Sequence, residues 1–260
     1  MRDEKIREIV ESVQDRLGRP SIGNAVSASW LSTEHARRGH TAQIKTPRDV
    51  APLIDHTLLK PTATERDILE LCREADEHGF ASVCVNPYWL PTADKTLGDS
   101  PVMLCTVVGF PLGANLTVIK AEEANRCIES GADELDMVAN VGRLKEHNWE
   151  AAFDDISAVV DIAGGVPVKV IIETALLDEE EIVAACAISS MAGAVYVKTS
   201  TGFASGGATV EAVSLMSLAV ENKLGVKASG GVGSFNTAMA MIRAGATRIG
   251  ASNSINIIRG

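Results

Sequence analysis

The sequence predicts an α/β fold built on a parallel sheet, and three observations carry that expectation. Short runs rich in β-branched residues recur from Ala51 onward, and each is followed by a stretch with helical signals. No G-x-G-x-x-G follows the first run, which argues against a doubly wound open sheet. The third is the number of runs, eight, which favours closure into a (β/α)8 barrel. A chain of 260 residues suits that architecture, since barrels of about 250 residues run as one domain.

The elements follow in order. Ile6, Ile9, Val10, Val13 and Leu17 recur at helical spacing among charged residues, so the chain opens with an amphipathic helix that Gly18 and Pro20 stop. The expected organisation is that helical extension over 1–20, a polar, small-residue linker over 21–45, and the barrel over 46–260. Trp30 and Leu31 offer a docking spot within the linker. The strands are expected within Pro52–Leu58, Ser82–Asn86, Met103–Gly109, Glu134–Asn140, Val166–Thr174, Ala194–Thr201, Leu224–Gly231 and Arg248–Ser252. Thr64 and Thr117 are expected to open helices that Gly79 and Gly131 end. Asp178 with Glu181 three residues on reads as a capping box, and Gly193 closes that helix. Thr209 and Ser234 are expected N-caps for two more.

Composition excludes several function classes. Thirty-four acidic residues against 24 basic ones, with a pI near 5.0, leave no broad basic face for nucleic acid. The longest apolar runs fall short of a membrane span, and the N-terminus lacks an apolar signal core, so neither membrane insertion nor export is expected. Cys72, Cys84, Cys105, Cys127 and Cys186 form no C-x-x-C pair and read as buried reduced thiols of a cytoplasmic protein.

The strands carry the chemistry. Both faces of a barrel strand are buried, so charged strand residues are anomalous, and here they obey period two. Glu134, Asp136 and Val138 share one face, opposite Leu135 and Met137; Lys169, Ile171 and Glu173 oppose Val168, Val170 and Ile172. Tyr196 and Lys198 share a face, Lys227 follows Val226, and Asp55 sits between Ile54 and His56. The apolar faces must meet the helices, which leaves Asp55, Asp136, Lys169, Glu173, Lys198 and Lys227 pointing into the barrel. A buried amine beside a second amine gives up its proton more readily than a free lysine. Lysines on adjacent strands therefore suggest a Schiff base with a carbonyl substrate, with an acid such as Asp136 moving protons through water. Spacing does not choose between Lys198 and Lys227 as nucleophile. Ligand-like histidine pairs are lacking among His35, His40, His56, His78 and His147, so neither a metal nor a cofactor is expected; His56 reads as an outward-facing structural residue.

Two glycine-containing turns lie at the ends of the last two strands: Ser229-Gly230-Gly231 and Gly250-Ala251-Ser252-Asn253. In barrels these positions commonly cradle a phosphate. A phosphorylated small-molecule substrate is the expectation.

The segments LIDHTLLKPTAT (53–64), SVCVNP (82–87), TVVGFPLGAN (106–115), GADELDMVANVGRL (131–144), VKVIIET (168–174), VKTSTGF (197–203), VKASGGV (226–232) and RIGAS (248–252) closely resemble 2-deoxyribose-5-phosphate aldolases. These are class I, Schiff-base aldolases on a (β/α)8 barrel. The resemblance covers about residues 51–255 and implies reversible cleavage of 2-deoxy-D-ribose 5-phosphate to D-glyceraldehyde 3-phosphate and acetaldehyde. It implies that Lys198 forms the Schiff base, that Lys227 keeps Lys198 uncharged and that Asp136 runs the proton relay. It also implies that Asp55 and Lys169 support the site, and that Gly202, Gly230, Gly231 and Ser252 hold the phosphate with Thr201 and Asn253 beside them. Cys84 falls where the family has a cysteine near the substrate path, though packing is its simpler role. Some family members end in a tyrosine-tipped tail; the tyrosines here are Tyr88 and Tyr196. The family is commonly dimeric or tetrameric, so a homo-oligomer is expected.

Three alternatives stay open on these residues: a lysine-dependent aldolase for another phosphorylated aldose, a phosphosugar-binding scaffold without catalysis, and a phosphosugar isomerase. The N-terminal helix carries two readings of its own. It packs over the bottom of its own barrel, or it resembles the encapsulation helices of microcompartment cargo and binds a shell or partner protein through residues 1–20.

Overall fold

The computed structural model describes residues 2–18 and 38–260. Eight parallel strands close into a barrel in sequence order: β1 (Ile54–Leu58), β2 (Ser82–Val85), β3 (Met103–Val108), β4 (Glu134–Val138), β5 (Val168–Ile171), β6 (Tyr196–Lys198), β7 (Gly225–Ser229) and β8 (Arg248–Ala251). Closure comes from β8 pairing with β1, Asp55 opposite Gly250. Every strand lies inside its expected run and is shorter than it. The run at Val166–Thr174 shows why: Glu173 adopts φ 56°, ψ 64°, which ends alternation after Ile171.

Helices fill the connections. They are α1 (Arg2–Leu17), α2 (Glu65–His78), α3 (Leu90–Leu97), α4 (Thr117–Glu129), α5 (Val141–Lys145), α6 (Trp149–Ala163), α7 (Glu179–Met191), α8 (Val210–Val220), α9 (Phe235–Arg243) and α10 (Ser254–Arg259). Thr64 caps α2 with Asp67 closing the box, and Gly79 ends it in the left-handed conformation that a side chain resists. Asp178 and Glu181 form the expected capping box of α7, and Thr209 and Ser234 accept from N3 amides at the heads of α8 and α9. Thr117 opens α4 as expected, as its first helical residue after the N-cap Leu116, and its hydroxyl donates to Asp155 at 2.9 Å.

The outward strand faces and the inner helix faces form one large apolar core, in which Ile54, Val83, Leu135, Val170, Val197, Val226 and Ile249 are fully buried. His56 is outward and satisfied as expected, its Nδ1 2.8 Å from Ser254 Oγ and its Nε2 2.8 Å from Glu74. Burial lowers its pKa against the pull of Glu74.

The N-terminal helix does not cover the barrel bottom. It lies along the outer ring, against α6, α7 and α8. An outer helix ordinarily keeps a polar stripe to solvent, yet α7 is buried at every position from Glu181 to Met191. The apolar stripe of α1 is what covers it, with Ile6 and Val13 buried and Ile9, Val10 and Leu17 packed on the core. At its end Arg16 sits 5.7 Å over the Trp149 ring and donates to the His147 carbonyl at 3.1 Å. The later part of the expected linker is also docked: Arg38 donates to the Leu224 carbonyl at 3.0 Å, and His40 Nε2 lies 2.7 Å from the Asp49 carbonyl. Trp30, Leu31 and His35 lie outside the described residues. No helix among the described residues is long and apolar enough to cross a membrane.

Candidate active site

Strand alternation aims a set of charges inward from six strands. Four cations and three carboxylates meet there among the described residues. Arg248 donates to Asp55 at 2.5 Å and to Glu134 at 2.9 Å. Lys169 contacts the same Glu134 oxygen at 2.7 Å and Asp136 Oδ1 at 3.0 Å. The other oxygen of Asp136 accepts from Lys198 at 2.7 Å and from Lys227 at 2.6 Å, and Lys227 also pairs with Asp55. Lys198 and Lys227 face each other in register on β6 and β7. Gly250, their neighbour on β8, leaves room for the Lys227 stem: a Cβ there would sit 3.1 Å from Lys227 Cε.

Unpaired charges in such an interior cost several kcal/mol each, so the network settles by mutual compensation. Burial would push the Lys227 ammonium down, but Asp136 and Asp55 outweigh it and hold the pKa above its ordinary value. Lys169 is likewise raised, by Asp136, Cys105, Glu134 and Asp55 against burial. Burial would raise Asp136, but Lys169, Lys198 and Lys227 hold it well below the usual carboxylate range. Arg248, Lys227 and Lys169 do the same for Asp55. With three carboxylates for four cations, neutrality is reached when one amine is uncharged.

Lys198 is the least buried of the three interior lysines. It borders a cavity of about 510 Å³ at the C-terminal mouth of the barrel, whereas Lys227, Lys169, Asp55 and Asp136 lie beneath it, fully buried. Around the same cavity are Thr201 and Gly202 after β6, Gly230 and Gly231 after β7, and Ser252 and Asn253 after β8, all expected site residues. Asp55 and Lys169, the residues expected to support the site, lie below the cavity, Asp55 against Lys227 and Lys169 against Asp136. The β7 turn is held in place by contacts that need glycine. Ala208 donates to the Gly230 carbonyl at 3.0 Å, and a Cβ on Gly207 would stand 2.3 Å from that oxygen.

Glu173 does not join the lysines. Its left-handed backbone turns the side chain to Thr201, whose amide and hydroxyl donate to Oε2 at 3.1 and 2.5 Å. Cys84 is fully buried with Leu59, Cys105 and Val107, a packing position below the cavity. Ligand atoms of Cys84, Cys105 and Asp136 lie within 4.8 Å of one another, but Asp136 already pairs with the ammonium groups of Lys169 and Lys227, which oppose a bound cation.

Arg248 and Glu134 belong to the network and were not in the expected set. Extending strand alternation to Arg248 and Gly250 on β8 is the signal that finds the first, and Glu134 already shares the face of Asp136. Thr57, Lys60 and Phe203 also line the cavity. Phe203 sits edge-on to Phe110, ring centroids 5.2 Å apart. Lys60 and Phe203 lie in loops at the strand C-termini, where strand periodicity gives no guidance.

Known proteins resemble the chain over this whole barrel. A deoxyribose-phosphate aldolase of Geobacillus sp. (strain WCH70) is 56% identical over 213 residues, which cover 82% of this chain and 96% of that protein. One of Histophilus somni (strain 2336) is 53% identical over 212 residues, covering 82% and 95%. The solved deoxyribose phosphate aldolase of Aeropyrum pernix, described as a unique tetrameric structure, superposes with a TM-score of 0.79 at 35% identity, covering 90% of this chain and 97% of that one. Residues 50–259 match the DeoC/LacD family aldolases, and the chain belongs to that family.

Proposed function

We propose that this chain is a class I aldolase that reversibly cleaves 2-deoxy-D-ribose 5-phosphate to D-glyceraldehyde 3-phosphate and acetaldehyde. One observation carries the assignment: of the interior amines, Lys198 is the one bordering the cavity, with the glycine turns after β6, β7 and β8 around it. The names of the relatives support the substrate class.

In this mechanism the uncharged Lys198 amine attacks the C1 aldehyde of the open-chain sugar, and loss of water leaves an iminium. The iminium draws electrons as the C2–C3 bond breaks, the C3 hydroxyl loses its proton and the C3 aldehyde leaves. The enamine left on Lys198 takes a proton at C2, and hydrolysis releases acetaldehyde and the amine. Asp136 stands 2.7 Å from Lys198 Nζ, so its carboxylate flanks the cationic iminium, and through water it takes the proton that the C3 hydroxyl loses and returns one to C2 of the enamine. Lys227 stays protonated between Asp136 and Asp55 and so keeps a second positive charge off Lys198. Backbone amides of Gly202, Gly230 and Gly231, with Ser252 and Asn253, receive the phosphate.

We read residues 46–260 as the catalytic unit, active in the cytoplasm as a homo-oligomer, an assembly for which the tetrameric Aeropyrum pernix enzyme is the precedent. The apolar stripe of α1 is spent on α7, so α1 acts as part of the enzyme's wall. Shell binding through that stripe requires α1 to leave α7. Diffuse fluorescence of a residues 1–20 fusion beside an intact shell speaks against it.

The test is intact-protein mass spectrometry after incubation with acetaldehyde and borohydride. A single adduct of about 28 Da on the wild type, absent from Lys198→Ala, is expected for a reduced ethyl amine. An adduct that persists in Lys198→Ala moves the nucleophile to Lys227 or Lys169. No adduct on the wild type overturns the Schiff-base mechanism.

A further inference from the structure

We infer that Glu173 is a positioning residue that fixes the polarity of the Thr201 hydroxyl, so that Thr201 presents only a hydrogen-bond acceptor to a hydroxyl of the sugar chain. The inference rests on the aldolase assignment and adds a determinant of substrate recognition to it.

The turn after the nucleophile strand is clamped from both neighbours. On the β7 side, Thr199 Oγ1 donates to the Ser229 carbonyl at 2.9 Å, and Ser229 Oγ donates to the Ser200 carbonyl at 2.7 Å. On the β5 side, Thr174 N donates to the Thr199 carbonyl at 2.9 Å, and Glu173 takes both donors of Thr201. Glu173 reaches Thr201 through a backbone conformation that residues with a side chain rarely adopt, at φ 56°. It is only 4% exposed, and its second oxygen, Oε1, is buried with no hydrogen-bond partner. A strained backbone and a half-satisfied buried carboxylate are both unfavourable, and packing alone asks for neither.

The consequence lies in the hydroxyl. A threonine hydroxyl has one proton and two lone pairs. The proton is committed to Glu173 Oε2 at 2.5 Å, the same oxygen that accepts the Thr201 amide. One lone pair receives the Phe203 amide at 3.1 Å. The remaining lone pair belongs to a residue that lines the cavity, so a substrate hydroxyl meeting Thr201 must donate. A sugar whose hydroxyl is absent or replaced by a pure acceptor leaves that position unpaired, which is how a site built around one hydroxyl discriminates.

The experiment compares KM and kcat for 2-deoxyribose 5-phosphate with the rate of borohydride trapping by acetaldehyde, which has no hydroxyl to offer. Glu173→Ala is expected to raise KM about tenfold, the loss of one hydrogen bond, with acetaldehyde trapping changed less than about twofold. Glu173→Gln keeps a carbonyl oxygen for Thr201 and is expected to restore KM to within about twofold of the wild type. Thr201→Val is expected to raise KM by the same factor, and the double variant Glu173→Ala/Thr201→Val no further, because both remove one contact. Three results overturn the inference: an unchanged KM in Glu173→Ala, additive effects in the double variant, or acetaldehyde trapping that falls in step with sugar cleavage. The wild-type reactions run in parallel keep the two claims apart. If the wild type neither cleaves the sugar phosphate nor traps acetaldehyde, the aldolase assignment fails; if it does both and KM in Glu173→Ala is unmoved, only this inference fails.

Discussion

Replacing Lys227 with methionine tests the electrostatic reasoning most directly. Lys198 and Lys227 lie 2.7 and 2.6 Å from one oxygen of Asp136, so their nitrogens are at most about 5 Å apart. At an effective dielectric constant of about 20, two positive charges at that separation repel by about 3 kcal/mol, which corresponds to about 2 pH units. In the wild type that repulsion favours the uncharged amine on Lys198. Without Lys227 the repulsion is gone, and Asp136 and Asp55 are left with one ammonium fewer, which pushes in the same direction. Acetaldehyde trapping near pH 7 is therefore expected to be about a hundredfold slower in Lys227→Met. The assay is trapping rate near pH 7 by intact mass, with circular dichroism confirming that Lys227→Met is folded. That control matters because breaking a buried pair costs about 3–5 kcal/mol. A trapping rate for folded Lys227→Met equal to that of the wild type would refute the claim that Lys227 acts electrostatically on its neighbour.

Three further outcomes follow from the same structure. Arg248→Met strips Asp55 and Glu134 of their shared cation and is expected to lower stability by about 3–5 kcal/mol in urea unfolding near neutral pH. The Asp55 carboxyl is held below its ordinary range with Arg248 as the leading stabiliser, so its contribution is present above about pH 4 and is lost as pH falls further. The acid limb of Tm against pH should accordingly be shallower in Arg248→Met than in the wild type. Val13→Asp places a charge where α1 seals α7 and is expected to cost about 2–4 kcal/mol in the same unfolding assay, while Glu11→Gln on the exposed face changes stability little. Gly207→Ala puts a Cβ against the Gly230 carbonyl and should raise KM for the sugar phosphate about tenfold, leaving acetaldehyde trapping within about twofold, since only the anion cradle moves.

The barrel itself is legible because its signals are local. Strand alternation depends on a two-residue repeat, caps depend on residues three apart, and these repeats survive in the sequence whatever the rest of the chain does. They locate the eight strands, the helix starts at Thr64, Asp178, Thr209 and Ser234, and the inward lysines on β5, β6 and β7. The glycine turns after β7 and β8 are local in the same sense. The family resemblance, carried by motifs such as VKTSTG and DELDMV, then names the chemistry that the lysines perform.

Other features are decided between segments far apart in the chain. Which of Lys198 and Lys227 is open to the cavity depends on the depth of each along its strand and on the carboxylates of β1 and β4 that meet them. Glu173 keeps the parity of Lys169 on paper, yet a left-handed residue after Ile171 turns it away to Thr201. The amphipathic stripe of α1 announces that something covers it but does not name the partner; the apolar run Ile182–Ile188 of α7 does. Periodicity states which face of an element must be hidden. Charge state, access and partner depend on distances between faces, and those exist only once the barrel has closed.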